Sequence, residues 1–109
     1  MSIHDDLTPL PIDNPTLYRR CREAGPSGSL DLTERLVRGA DLRTVPLPEL
    51  YAPLARFEGV RFDGEQLCHA FLHSAVFIDC DLSTVNIGGG AVSVDAQRGV
   101  RWPVGFTPD

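Results

Sequence analysis

From residue 55 to residue 89 the chain repeats with a period of five, and few folds can accommodate such a period. Cut into fives, the stretch reads ARFEG, VRFDG, EQLCH, AFLHS, AVFID, CDLST and VNIGG. The third position is Phe57, Phe62, Leu67, Leu72, Phe77, Leu82 and Ile87, large and apolar throughout. The first is Ala55, Val60, Glu65, Ala70, Ala75, Cys80 and Val85, small or apolar except at Glu65. Leu, Phe and Ile make up about a fifth of the chain, so seven consecutive hits at one spacing arise by chance on the order of once in 10^5. A strand alternates every two residues and a helix every 3.6, and neither keeps step with five over this length. One stretch, GEQLCHAFLHSAVF, could instead put Leu67, Ala70, Phe71, Ser74, Ala75 and Ile78 on a helical face. That reading leaves the identical phase on both sides without a cause.

A small and a large inward residue in every five can be built if each pentapeptide forms one side of a square and the chain winds. Corners then turn the backbone, and pairing between successive turns satisfies the peptide groups. Ala40-Asp41-Leu42-Arg43-Thr44 is a further unit in the same phase, and Val45, Leu47, Leu50 and Ala52 keep it. These units resemble the pentapeptide repeat family, with its pattern A-(D/N)-L-x-x. Trp102, Pro103, Gly105, Phe106 and Pro108 are similar to the aromatic-Pro-x-Gly-Phe-x-Pro tail that follows such blocks. The resemblance implies an all-β solenoid, a right-handed quadrilateral β-helix with a short N-terminal helical cap and an irregular C-terminal cap.

The expected organisation is an N-terminal arm and helical cap over 1–39, the repeat over 40–90 with its firm part at 55–89, and a capping tail over 91–109. Asn14 as N-cap, followed by Pro15 at the first helical position, predicts a short helix through Thr16 to Ala24, stopped by Gly25 and Pro26. Asp31 or Thr33 predicts a second short helical piece through Leu36 and Val37 to Gly39. Pro46, Pro48 and Pro53 limit any helix around Pro48 to Leu54 to a turn or two.

Acidic residues number 15 against 10 basic ones, net −5. Binding to a phosphate backbone needs clustered cations, so a nucleic-acid partner is not expected. No stretch approaches 18 apolar residues, so no membrane span is expected. The N-terminus lacks the basic and apolar regions of a signal peptide, and Cys21, Cys68 and Cys80 form no CxxC. A soluble, cytoplasmic protein with reduced thiols is the expectation.

Cys68, His69 and His73, with Asp79, Cys80 and Asp81 nearby, are of types that zinc accepts. Their spacing fits no finger, and structural roles are expected of them, with no metal or cofactor. Glu58, Asp63 and Glu65 could supply paired carboxylates, but side chains on different faces of a convex rod do not converge in a pocket. Gly88-Gly89-Gly90 has no following lysine of a phosphate loop and reads as the end of the repeat. The outward positions are more informative. Phe71, Val76 and Ile78 are apolar where their equivalents are mostly polar, which marks a contact surface for a protein partner or a second copy, unless the chain's own ends cover it. The expected function is therefore a non-enzymatic protein-protein interaction module. The resemblance implies an alternative, a DNA mimic acting on a type II topoisomerase, and a small accessory or immunity protein is a third.

Overall fold

The computed structural model describes residues 10–25, 27–64, 67, 70–86 and 91–103, with residues 91–97 described in their backbone alone. The chain bends where its backbone turns left-handed, and these bends recur in two series. Glu34, Leu54 and Ser74 have φ of 56°, 62° and 57°, and Gly39, Gly59, Asp79 and Gly99 have φ of 63°, 61°, 54° and 66°. Within each series the residues lie twenty apart. Glycine reaches this region without a steric penalty, and aspartate tolerates it better than most residues.

Between the bends run short strands: β1 (Leu10–Pro11), β2 (Ser29–Asp31), β3 (Arg35–Arg38), β4 (Glu49–Tyr51), β5 (Arg56–Glu58), β6 (Phe71–Ile78) and β7 (Ala91–Arg98). All pair in parallel. The register sets Leu30 on Leu50, Val37 on Phe57, Phe57 on Phe77 and Phe71 on Ala91, each partner twenty residues on. Four pentapeptides thus separate each of these residues from its neighbour in the sheet, which keeps positions one and three on the same side from strand to strand, whereas β1, offset from β3 by twenty-five residues, leaves Leu10 exposed. Ala55, Phe57, Val60, Phe62, Leu67, Ala70, Leu72, Ala75, Phe77, Cys80, Leu82 and Val85 are all buried. The same phase is buried upstream at Leu30, Leu32, Val37, Ala40, Leu42, Leu50 and Ala52. Phe77 stacks on Phe57 with ring centroids 5.2 Å apart, and Trp102 meets its other side edge-on at 5.6 Å. No polar side chain is buried among the described residues.

The quadrilateral β-helix solenoid expected from the period is corrected by this pairing. The strands form one continuous parallel sheet in the order β1-β3-β5-β6-β4-β2, with β7 also on β6, curled into a half-barrel with one short helix among the described residues. The reason lies in β6. Its first residue pairs with β4 through Tyr51 and Phe71, while Val76, Phe77 and Ile78 pair with β5. Ser74, left-handed between them, bends this eight-residue strand without ending it. A corner expected to separate two faces is therefore absorbed into one strand, and the sheet runs through it.

The helix α1 (Asn14–Ala24) lies where the sequence placed one, but its N-cap is Asp13 rather than Asn14. The Asp13 carboxylate accepts the Thr16 amide at 2.8 Å, and hydrogen bonds from the Thr16 side chain and amide hold its pKa below the ordinary carboxylate value. Pro15 occupies the first turn, where its missing N–H costs nothing. Leu17 and Cys21, four residues apart on one face, are buried in the same core as the sheet. The second helical piece is not formed. Asp31 accepts the Thr33 amide at 2.9 Å and hydroxyl at 2.5 Å, closing a turn that leads through left-handed Glu34 into β3. Residues 49–51, around the expected turn of helix, are strand β4.

Candidate interaction surface

Phe71, Val76 and Ile78 all lie on β6, but the Ser74 bend divides them. Val76 and Ile78 are half-buried, with Arg56 and Glu58 of β5 beside them on one side and the backbone of β7 on the other. Glu58 draws the Arg38 guanidinium to 3.0 Å and also holds Arg56. Partial burial works to raise the Glu58 pKa, and the two guanidiniums outweigh it and hold the carboxyl below its ordinary value. Charged neighbours thus hem in this side of the bend.

Phe71 sits on the other side and has a different neighbour. Its ring stacks on Tyr51 with centroids 5.1 Å apart and planes 19° from parallel. The pair follows from the register, since Tyr51 on β4 lies directly beside Phe71 on β6. His73 tilts against Phe71 at 6.0 Å. Three residues after Tyr51, the left-handed backbone of Leu54 turns that side chain outward. Tyr51 is 49% exposed, Leu54 50% and Phe71 36%. Tyr51 and Phe71, exposed, adjacent in register and ordered by stacking, form a contact patch rather than scattered surface residues, and Leu54 lies at the turn that adjoins it, its amide donating to the His73 carbonyl at 2.9 Å.

Sequence reasoning missed Tyr51 and Leu54. Pro46, Pro48 and Pro53 put the repeat upstream of residue 55 in doubt, although Leu50 and Ala52 keep its phase. The twenty-residue offset was the available signal: it puts Tyr51 next to the one aromatic at an outward position of the firm repeat.

Charge is distributed unevenly around the patch. Asp31 lies next to Tyr51 in register, on the side away from Phe71. Glu34 occupies the bend equivalent to Leu54 one strand back, its amide donating to the Pro53 carbonyl at 3.1 Å. Glu49 precedes Tyr51 by two residues on β4 and shares its outward face. All three are exposed. Hydrogen bonds from the Thr33 hydroxyl and amide hold the Asp31 pKa below the ordinary value, so this carboxylate is ionised at neutral pH.

Among the described residues the remaining chemical groups do not converge. Cys68, His69, Glu65 and the Gly88-Gly89-Gly90 triplet lie outside the described residues, as do Gly105, Phe106 and Pro108 of the tail. Among the described residues no three of His, Cys, Asp and Glu come together as a metal site. The Cys80 thiol is buried, with the carbonyls of Phe57 and Ile78 each at 3.4 Å from Sγ. Burial pushes its pKa up, which disfavours a thiolate ligand or nucleophile. A cleft of about 520 Å³ is lined by Arg43, Arg61, Asp63, Asp79, Asp81 and Thr84 among others. Two of its acids are engaged locally: Asp63 accepts the Gly64 amide at 2.8 Å, and Asp81 accepts the Ser83 amide at 3.0 Å and hydroxyl at 2.6 Å. Glu58 and Asp63 lie on different segments and pair with different groups, so they form no carboxylate dyad.

No family model, no curated protein and no solved structure matches this chain. Among the described residues, no helix is long and apolar enough to cross a membrane.

Proposed function

We propose that the chain is a non-enzymatic interaction module that docks a protein partner on the outer side of its curled sheet. The observation that carries this reading is the exposed Tyr51–Phe71 stack, with exposed Leu54 at the adjoining turn. Parallel pairing on a packed core supports both strands beneath the stack. A preformed aromatic pair loses little rotamer freedom on binding, and aromatic residues are enriched among those that dominate interface energetics.

The test is comparative affinity capture with the tagged chain and its Tyr51→Ser/Phe71→Ser variant, after circular dichroism has shown both to be folded. A stoichiometric partner retained by the first and lost from the second supports the reading. A retained set that is unchanged by the substitutions overturns it. Light scattering of the purified chain separates a heterologous partner from a second copy: a dimer that dissociates in the variant assigns the patch to self-association.

A further inference from the structure

The patch joins an aromatic surface to an acidic rim, and the combination selects its occupant. Four register-matched segments, 29–34, 49–54, 71–74 and 91–94, form this side of the sheet and the turns that adjoin it. They contain Asp31, Glu34 and Glu49 and not one arginine or lysine. Two cations that flank these segments are held elsewhere: Arg35 donates to the carbonyls of Leu10 and Pro11 at 3.1 Å, and Arg56 is held by Glu58.

Resting on the reading of this patch as a docking surface, we propose that its occupant is an extended, arginine-bearing basic segment of a protein partner. One guanidinium lies against the Tyr51–Phe71 rings, and its neighbours meet Asp31, Glu34 and Glu49. Arginine suits such a surface better than lysine because its planar cation stacks on aromatic faces and still presents N–H groups to carboxylates. The dimensions agree. Adjacent strands lie about 4.8 Å apart, and alternate side chains of an extended segment lie about 6.6 Å apart, so a segment crossing the strands carries successive cations from the rings to the rim.

The test uses a fluorescein-labelled peptide, Thr-Arg-Val-Arg-Thr-Arg, and two counterparts in which every arginine is replaced by glutamine or by glutamate. Binding is followed by fluorescence anisotropy at low salt. The arginine peptide is expected to bind at least about tenfold more tightly than either counterpart, a ratio equivalent to about 1.4 kcal/mol. Its affinity is expected to fall in an Asp31→Asn/Glu34→Gln/Glu49→Gln variant and in 0.5 M salt, where screening shortens the reach of exposed charges. Asn at 31 keeps an oxygen for the Thr33 amide, so this variant tests charge rather than the turn. Leu54→Asn keeps the left-handed bend accessible and removes apolar contact, giving a second loss-of-binding variant should Tyr51 or Phe71 substitutions disturb β4. Equal binding of the arginine and glutamine peptides, both lost in Leu54→Asn, overturns the basic occupant and leaves the docking surface standing. Arginine-peptide binding that is indifferent to Tyr51, Leu54 and Phe71 overturns both, and no binding by any peptide overturns the basic occupant.

Discussion

Replacing Phe77 tests whether the inward column of third positions is what holds the sheet together. Its side chain is fully buried, faces Phe57 at 5.2 Å and is met edge-on by Trp102 at 5.6 Å. Phe77→Ala removes a large buried ring and both aromatic contacts, and such truncations cost about 3–5 kcal/mol. A domain of this size has about 5–15 kcal/mol in all, so the variant loses roughly a fifth of its stability or more. At about 4–8 °C per kcal/mol the midpoint of thermal unfolding falls on the order of 20 °C. Phe77→Leu keeps most of the volume and should cost about 1–1.5 kcal/mol. Phe71→Ala, six residues earlier on the same strand but outward and 36% exposed, should cost under about 1 kcal/mol. Urea unfolding of all three follows from far-ultraviolet circular dichroism and from the fluorescence of Trp102, the chain's single tryptophan. Its packing on Phe77 makes it a local reporter as well. If Phe77→Ala costs under about 1 kcal/mol, or if Phe71→Ala costs as much, the assignment of inward and outward positions is wrong.

Two further predictions concern the outer surface. Hydrogen bonds from the Arg43 side chain, at 2.8 and 2.9 Å, and from its amide hold the Asp41 pKa at about 2 against an ordinary 3.8. A pKa lowered by folding stabilises the native state above the unfolded value and ceases to do so as pH falls through the folded one. The contribution of Asp41 is therefore full above about pH 4 and lost towards pH 2. Carboxyl titration by NMR should find this low pKa and show it returning towards the ordinary range in Arg43→Met. The second prediction contrasts two members of one series of left-handed bends. Gly59→Ala has open space for a methyl group but must adopt φ near 61°, and should cost about 1 kcal/mol from backbone conformation alone. Asp79→Gly, at φ 54° in the same series, should be neutral or stabilising by a few tenths of a kcal/mol in denaturant unfolding.

The buried half of this molecule was legible because burial is a local property once a period is known. Every described residue at the first and third positions between Ala55 and Val85 is inside. The short helix was legible for a similar reason, because Pro15 and Gly25 bound it at either end. The misread piece at residues 31–39 shows where local chemistry is ambiguous. A carboxylate that accepts the amide two residues on can begin a helix or close a turn, and the hydrogen bond is nearly the same in both. Asp31 with Thr33, Asp41 with Arg43 and Asp81 with Ser83 all form it here, and among the described residues no helix follows any of the three. Read together, the three would have identified a turn that recurs in the repeat.

The outer surface was harder to read because its neighbours are not local. An outward side chain on β6 meets residues twenty positions away, so its surroundings depend on pairing that the period alone does not fix at a corner. The quadrilateral reading assigned every boundary between pentapeptides a break between faces, yet Ser74 turns left-handed inside a strand whose pairing with β7 shifts register at the bend and resumes beyond it. That single bend joins what would have been two faces and places Phe71 with Tyr51, and Val76 and Ile78 with Arg56 and Glu58. Three apolar residues that look equivalent in sequence thereby acquire different neighbours, one aromatic and two charged. Specificity on such a surface is set by which strand lies alongside. That is why the acidic rim of Asp31, Glu34 and Glu49, carried by segments up to forty residues before Phe71, belongs to the same patch.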